Sequence, residues 1–537
     1  MLKHPRRRFG AVAMSAALVT AVAACGGGGG GSSESDGGGG SGDAAGLIVG
    51  TTDTVDTVDP AKCYSFFCGN ILQNTTQTLI DYKPGTTDYE PRLASSLPKI
   101  TDDGRTYTFP LRKDVTFHDG SKMTSADVKF SLNRARWMNH PEGAGFLLND
   151  IKGIDTPDDY TVVIHLKQPD ITFTSKLAYT VATIVPSDSY ASPDHELTDG
   201  KGAEKYVNEE LVGTGPYEIA DFREGESITL KAYDGYWGEK PPSENVQIRF
   251  YQKSSQLLTA LKADEVDIAF RALTPEQRES LQGNDDFKVV KGPGASIRYL
   301  VINNMIKPMD DPKVRKAIAA AIDRDRIVKD VLGGAGQPLY SMIPPTFEAN
   351  EPVFKKAYAG KDPSDFLGDR KVDVTLWYST NHYGPTEQAL AESVKRQLNE
   401  SGSFNVKTEP APWAQFTEDA YPGKSGQYPM FLLGWYPDYL DPDDYIAPFY
   451  GCDSFLQMYC NDQMEKLIRK ERTAGAPDSA GRMKTFGKIQ QMSAEDAPLI
   501  PLFVLQPFAF TASNVQGVKD TMGPEQIFRY YMISETS

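Results

Sequence analysis

"FHDGSKMTSADVKFS", residues 117–131, sets a turn directly before the start of a helix. Asp119-Gly120 is a turn signal, because aspartate bonds its own following backbone and glycine tolerates left-handed torsion angles. Thr124-Ser125-Ala126-Asp127 has the Thr-x-x-acid form of a capping box, in which two side chains satisfy the free N–H groups at a helix start. Val128, Leu132 and Ala135 follow at helical spacing, so a helix runs on from Thr124 with one apolar face. His118 sits alone at the strand-to-turn corner, with no cysteine or second histidine beside it, and reads as a packing residue.

Outward from this stretch, strands and helices alternate. Leu47-Ile48-Val49, Thr106-Tyr107-Thr108-Phe109, Tyr160 to Leu166, Ser227 to Tyr233 and Asn245 to Tyr251 are short apolar or alternating runs typical of strands. Gly213-Thr214-Gly215-Pro216-Tyr217 leads into another, and its glycines suit a tight turn where the chain crosses between lobes. Asp311-Pro312 is a cap followed by proline at the first helical position. Val314, Ala317, Ile318, Ala321 and Ile322 then form one buried stripe, and Gly333-Gly334 stops the next helix. Without a clean repeating unit, this alternation predicts a mixed α/β architecture with several lobes.

The chain has 537 residues and a mean hydropathy of -0.42, enough for more than one core. Its formal charge of -16 disfavours a nucleic-acid partner, which asks for a basic face. After Ala44 no stretch approaches the ~20 apolar residues of a membrane helix. Residues 1–24 have the layout of an export signal: Lys3, Arg6, Arg7 and Arg8, then an apolar run from Phe9 to Ala24. Val22-Ala23-Ala24-Cys25 resembles a bacterial lipobox, which implies cleavage before Cys25 and lipidation of its sulfur; the rival is a plain secretory signal. Arg6-Arg7-Arg8-Phe9 also resembles part of a twin-arginine signal, although an ordinary basic segment explains it. Residues 26–43 are nearly all Gly, Ser and acid, too polar to order themselves. Residues 25–45 are expected to be a lipidated cysteine and tether, of which residues 26–43, as a flexible coil, would reach roughly 20–25 Å.

The remaining cysteines form two close pairs, Cys63 with Cys68 and Cys452 with Cys460. Export favours two local disulfides. Zinc is the rival, but neither pair has C-x2-C spacing or a nearby histidine, and the chain has only six histidines. No cofactor or metal is expected.

With residues 117–131 as its centre, the chain resembles the peptide/nickel-type (family 5) extracellular solute-binding proteins of bacterial ABC importers, and among them the oligopeptide-binding lipoproteins. Asp56 to Pro60 with Thr78-Leu79, Gly213 to Tyr217, Asn303 to Arg324 and Gly434 to Pro442 match further family segments in the family's order. The resemblance implies a periplasmic-binding-protein-like clamp of class II type, made of two lobes plus an extra family-specific lobe. Lobe I would comprise residues 46–86, 213–295 and 508–537, the extra lobe II residues 87–212, and lobe III residues 296–507. It also implies capture of an oligopeptide in an interlobe cleft by a monomer held at the outer membrane face. Delivery would be to permease subunits and, through them, ATPase subunits.

Gly434-Trp435-Tyr436-Pro437-Asp438 carries the binding expectation. In peptide-binding relatives the aspartate at the position of Asp438 meets the ligand's ammonium and a preceding aromatic walls a side-chain pocket. The resemblance thus places Asp438 on the ammonium, by a charge-assisted hydrogen bond, and Trp435 on the wall, with Tyr436 beside it. The competing reading makes Asp438 and Asp441 turn residues of a proline-rich loop. Calcium chelation by Asp441, Asp443 and Asp444 lacks the EF-hand spacing. Trp377, Tyr378, His382, Tyr383 and Trp413 are expected to line the same cleft. Dipeptide-binding relatives place an arginine here for the ligand's carboxylate, and residues 380–383 have none. That departure favours longer peptides held by main-chain pairing, or a non-peptide such as an opine, an oligosaccharide or a metal chelate. A secreted hydrolase, the alternative from another class, would need a nucleophile and base. The chain has no G-x-S-x-G elbow, H-E-x-x-H helix or credible Cys–His pair.

Overall fold

In the computed structural model, which describes residues 46–190, 210–271, 273–384, 386–421, 426–473, 479–525 and 527–536, the stretch 117–131 folds as its spacing predicts. A helix spans Ser125–Met138. Asp127 Oδ2 accepts from the Thr124 N–H at 2.8 Å, and its other oxygen accepts from Ser187 N and Oγ, each at 2.9 Å. The cap therefore also ties the helix to a distant segment. Val128, Leu132 and Ala135 are buried, and Asn139, in the left-handed region at φ 38°, ends the helix.

His118 is a clasp. Its Nδ1 accepts from the Gly213 N–H and its Nε2 donates to the Gly215 carbonyl, at 3.3 and 3.1 Å. Burial lowers its pKa to about 4, so the ring is neutral, as those two bonds require. Gly213 and Gly215 have no positive φ, contrary to the tight turn expected of them. They are needed for close approach: a Cβ at Gly213 would lie 2.1 Å from the Thr75 carbonyl oxygen, and one at Gly215 2.5 Å from the carbon.

Three sheets carry the architecture. The first has seven strands in the order Phe287–Lys291, Phe508–Ala512, Ile268–Phe270, Leu47–Thr51, Asn245–Phe250, Ser227–Ala232 and Tyr217–Arg223. Leu47–Thr51 runs parallel to both its neighbours, and its continuous apolar run fits a strand covered on two faces. The second has six strands in the order Gly336–Pro338, Leu499–Leu505, Ile297–Ile302, Met430–Trp435, Val372–Ser379 and Phe404–Ala411. Every residue of Ile297–Ile302 is buried, and Arg298 faces Gly434 across the ladder. The third has four strands, Lys99–Thr101, Thr106–Pro110, Thr161–Leu166 and Ile151–Asp158.

The helix Pro312–Ala321 buries Val314, Ala317 and Ile318 against the second sheet's core. The expected stripe is interrupted: Ala321 is partly exposed, and Ile322, though buried, lies past the helix in extended backbone. Asp323 explains the break, since its carboxylate accepts from Arg326 N at 3.0 Å and starts a separate helix, Arg324–Asp330. Gly333 and Gly334, both at positive φ, stop that second helix.

Disulfides join Cys63 to Cys68 and Cys452 to Cys460. The export signal, Cys25 and the tether lie outside the described residues. Among the described residues no helix is long and apolar enough to cross a membrane.

Candidate functional site

The strand Met430–Trp435 lies inside the second sheet and ends in Tyr436-Pro437-Asp438, at the edge that faces the first sheet's loops. The turn that follows is held by its own acids. Asp441 accepts two bonds from Arg482, at 2.6 and 2.8 Å, and caps the short helix Pro442–Tyr445. Asp443 accepts from Arg472 at 2.8 Å and from Tyr439 Oη at 2.7 Å. Burial alone would raise Asp443, but the Arg472 guanidinium more than offsets this and holds its carboxyl below the usual range. Asp441, Asp443 and Asp444 thus serve different partners rather than converging on a cation. Among the described residues no cluster of three or more metal-ligating side chains occurs.

Asp438 and Asp444 differ from their neighbours. They are 5% and 0% exposed. Asp438 Oδ1 accepts from Tyr64 Oη at 2.8 Å. Asp444 Oδ2 accepts from Asp438 N at 3.0 Å and Trp435 Nε1 at 2.9 Å, while its Oδ1 has no partner among the described residues. No arginine or lysine bonds either carboxylate among the described residues. Burial pushes Asp438 up to about 7 and, with the charge of Asp438 added, pushes Asp444 well above the carboxylate range. A buried carboxylate without a counter-ion is costly, and a docked cation would relieve that cost.

The first sheet supplies the facing groups. The loop bridged by Cys63–Cys68 carries Tyr64, bonded to Asp438, and Phe66, whose ring lies 6.0 Å from that of Tyr436. Arg271, just past the strand Ile268–Phe270, lies 3.8 Å over Phe66 and donates to Tyr436 Oη at 2.9 Å and Asp53 at 3.2 Å. Its φ of 68° is unusual for a side-chain-bearing residue and fits a position fixed by its contacts. Trp435 stacks on Phe455, from the loop bridged by Cys452–Cys460, with centroids 5.6 Å apart.

His382, Tyr383, Trp413 and Trp377 form a second aromatic group, whereas Tyr378, expected beside them, is buried in the second sheet's core with Leu376 and Val394. His382 stacks on Trp413 at 3.7 Å, and Tyr383 meets both rings edge-on. Desolvation, then the charge of Arg298, lowers His382 to about 4. Trp377 stacks on Tyr428, which Phe416 links to Trp413. Tyr383 joins this group to the first: its hydroxyl reaches the Gly434 carbonyl at 3.5 Å, and the Arg298 guanidinium lies 3.6 Å over its ring. Arg298 is paired with Glu387 through Nη2, and its buried Nη1 has no partner among the described residues.

Sequence reasoning did not reach Tyr64, Phe66, Asp444, Arg271, Arg298 or Phe455 as site residues. The bracketing cysteines marked the loops of three of these. A groove of about 320 Å³ on the third sheet, lined by Leu97, Ile100 and Tyr107 among others, holds none of the site residues.

Comparison with known proteins places the chain in a family. A family model for "Bacterial extracellular solute-binding proteins, family 5 Middle" matches residues 88–457. A dipeptide-binding protein of Escherichia coli is 28% identical over 478 residues, covering 83% of this chain and 86% of its own. Heme-binding protein A of Haemophilus influenzae is also 28% identical, over 83% of this chain and 84% of its own. The solved structure of a periplasmic binding protein of Helicobacter pylori in complex with the peptide STSA is 25% identical with a TM-score of 0.75. It covers 91% of this chain and 98% of its own.

Proposed function

The chain belongs to the bacterial extracellular solute-binding proteins of family 5, and we propose that it captures peptides with a free ammonium group for an ABC importer. As a member of that family it binds a solute rather than transforming one. The observation that carries the peptide reading is Asp438, a buried carboxylate beside an indole wall with no cation among its described partners. In the proposed complex Asp438 takes the ligand's ammonium, Trp435 and Tyr436 border the first side chain, and Tyr383, Trp413, His382 and Trp377 form or support the wall beyond. Arg298 Nη1 takes the carboxylate or a main-chain carbonyl, a role that residues 380–383 cannot fill.

Residues 46–86, 213–295 and 508–537 act as one lobe, 296–507 as the second and 87–212 as the extra lobe. The grouping of strands into three sheets supports this division. Ligand binding closes the lobes by favouring the closed state. Cys25 carries the lipid, residues 26–43 give reach at the outer membrane face, and the loaded monomer docks on the permease.

Two measurements test the function. Native mass spectrometry of the purified soluble part should release a peptide; a co-purified opine, oligosaccharide or metal chelate would replace the peptide reading. In calorimetry with Ala-Phe and N-acetyl-Ala-Phe, the free amine should bind at least tenfold more tightly. Asp438→Ala should erase that difference, and equal loss for both ligands would refute the assigned role.

A further inference from the structure

Arg298 is the second residue of the buried strand Ile297–Ile302, and Glu387 is the first residue of the helix Glu387–Glu400. Each is 4% exposed. Both Glu387 oxygens accept from Arg298 Nη2, which leaves Nη1 buried without a partner among the described residues. Nη1 lies against the site: a Cβ at Gly434 would fall 2.4 Å from it, so glycine gives the guanidinium room directly before Trp435. The Tyr383 ring covers the guanidinium at 3.6 Å. Burial favours the neutral form of both Arg298 and Glu387, and the charge of each opposes this in the other.

We propose that Glu387 decides which end group the cleft accepts: by neutralising Arg298 it leaves Nη1 to a carbonyl and makes the site indifferent to a ligand's terminal carboxylate. This deepens the function proposed above and rests on it. Glu387 acts through Arg298 and is a positioning residue, whereas Arg298 touches the ligand. A single free N–H is a directional donor, and a main-chain or amide carbonyl satisfies it with little desolvation. A carboxylate would have to shed its water to reach a buried pair that already carries no net charge, and Glu387 would repel it. The Asp438 carboxyl, by contrast, accepts from the neutral Tyr64 hydroxyl. The ligand is thus read by charge at its amine and by a dipole at its carbonyl. The substrate class is peptides with a free ammonium whose far end is amidated or extended as readily as it is a free acid.

The test is calorimetry with Ala-Phe and Ala-Phe-amide at about pH 6.5, where both amines are charged. The wild-type protein should bind the two within about threefold of each other, whereas a cation that reads the carboxylate would favour the acid by about tenfold or more. Glu387→Gln keeps an acceptor for Nη2 but removes the negative charge, which leaves Arg298 a buried cation without a counter-ion. In that variant the preference for Ala-Phe over its amide should rise by about tenfold relative to the wild type. A purely structural role would weaken both ligands alike and leave their ratio where it was. A strong preference for the acid in the wild type, or an unmoved ratio in a folded Glu387→Gln, would overturn the proposal. If the variant does not fold, the wild-type ratio decides by itself. N-acetyl-Ala-Phe separates the two levels: if it binds the wild type as well as Ala-Phe, the ammonium reading itself fails. If the free amine is preferred and the acid is favoured over the amide, only the role of Glu387 fails.

Discussion

Asp438 and Asp443 lie five residues apart in one loop, and burial acts on both, yet their acidities move in opposite directions. Arg472 makes the difference, and the sign of the pH response follows from it. Asp443 is held below its unfolded value, so its stabilisation is present above the ordinary carboxylate range and is lost as the pH falls. Asp438 and Asp444 are held above theirs; the unfolded chain ionises first, so their contribution falls as the pH rises from ~4 toward neutrality. Asp444→Asn should therefore stabilise the ligand-free protein at pH 8 by about 1–3 kcal/mol and leave it nearly unchanged at pH 4, as read from urea midpoints. Arg482→Met should instead destabilise, costing about 3–5 kcal/mol at neutral pH by removing the cation that Asp441 and Glu471 share. The residues of this site were unevenly legible. Asp438 and Trp435 stand in a recognisable run, whereas Asp444 sits among aspartates that read equally well as turn formers. Arg271 and Arg298 lie on or beside strands where nothing local marks a binding role; the approach of the two sheets brings Arg271 to Tyr436, and the strand order of the second sheet brings Arg298 to Tyr383.

At the level of elements, the Ser125–Met138 helix shows a local signal that survived folding intact. Its Thr-x-x-Asp cap is written in four consecutive residues, and Asp127→Ala should cost about 1–2 kcal/mol in chemical denaturation by losing the cap and the Ser187 bonds together. The apolar periodicity of Val314–Ile322 continues across a break that Asp323 imposes by capping a new helix, so the pattern alone does not mark where the first helix ends. The two disulfide loops are elements of a different kind, each presenting an aromatic side chain to the site. Replacing Cys63 and Cys68 together by serine should weaken Ala-Phe binding several-fold in calorimetry, because Tyr64 and Phe66 lose their fixed backbone. An unchanged affinity would show that packing against Tyr436 and Arg271 holds them unaided.

For the whole molecule, the proposed first and second lobes are joined among the described residues by direct polar contacts that include Tyr64 to Asp438, Arg271 to Tyr436 and Leu440 N to Tyr82. Tyr64→Phe should move the ligand-free ensemble toward open forms by about 1 kcal/mol, seen in solution scattering as a larger radius of gyration that saturating ligand restores. The α/β alternation was legible along the chain, but the strand order was not, because order is decided by pairings between segments hundreds of residues apart. The seven-stranded sheet is the extreme case. Phe508–Ala512 is inserted between Ile268–Phe270 and Phe287–Lys291, antiparallel to both, so the interior of the sheet waits for a strand near the end of the chain. Such distant contacts form slowly. Were the chain exported unfolded, the sheet could not be completed until residue 512 had crossed the membrane, so this arrangement would delay folding until translocation is nearly over.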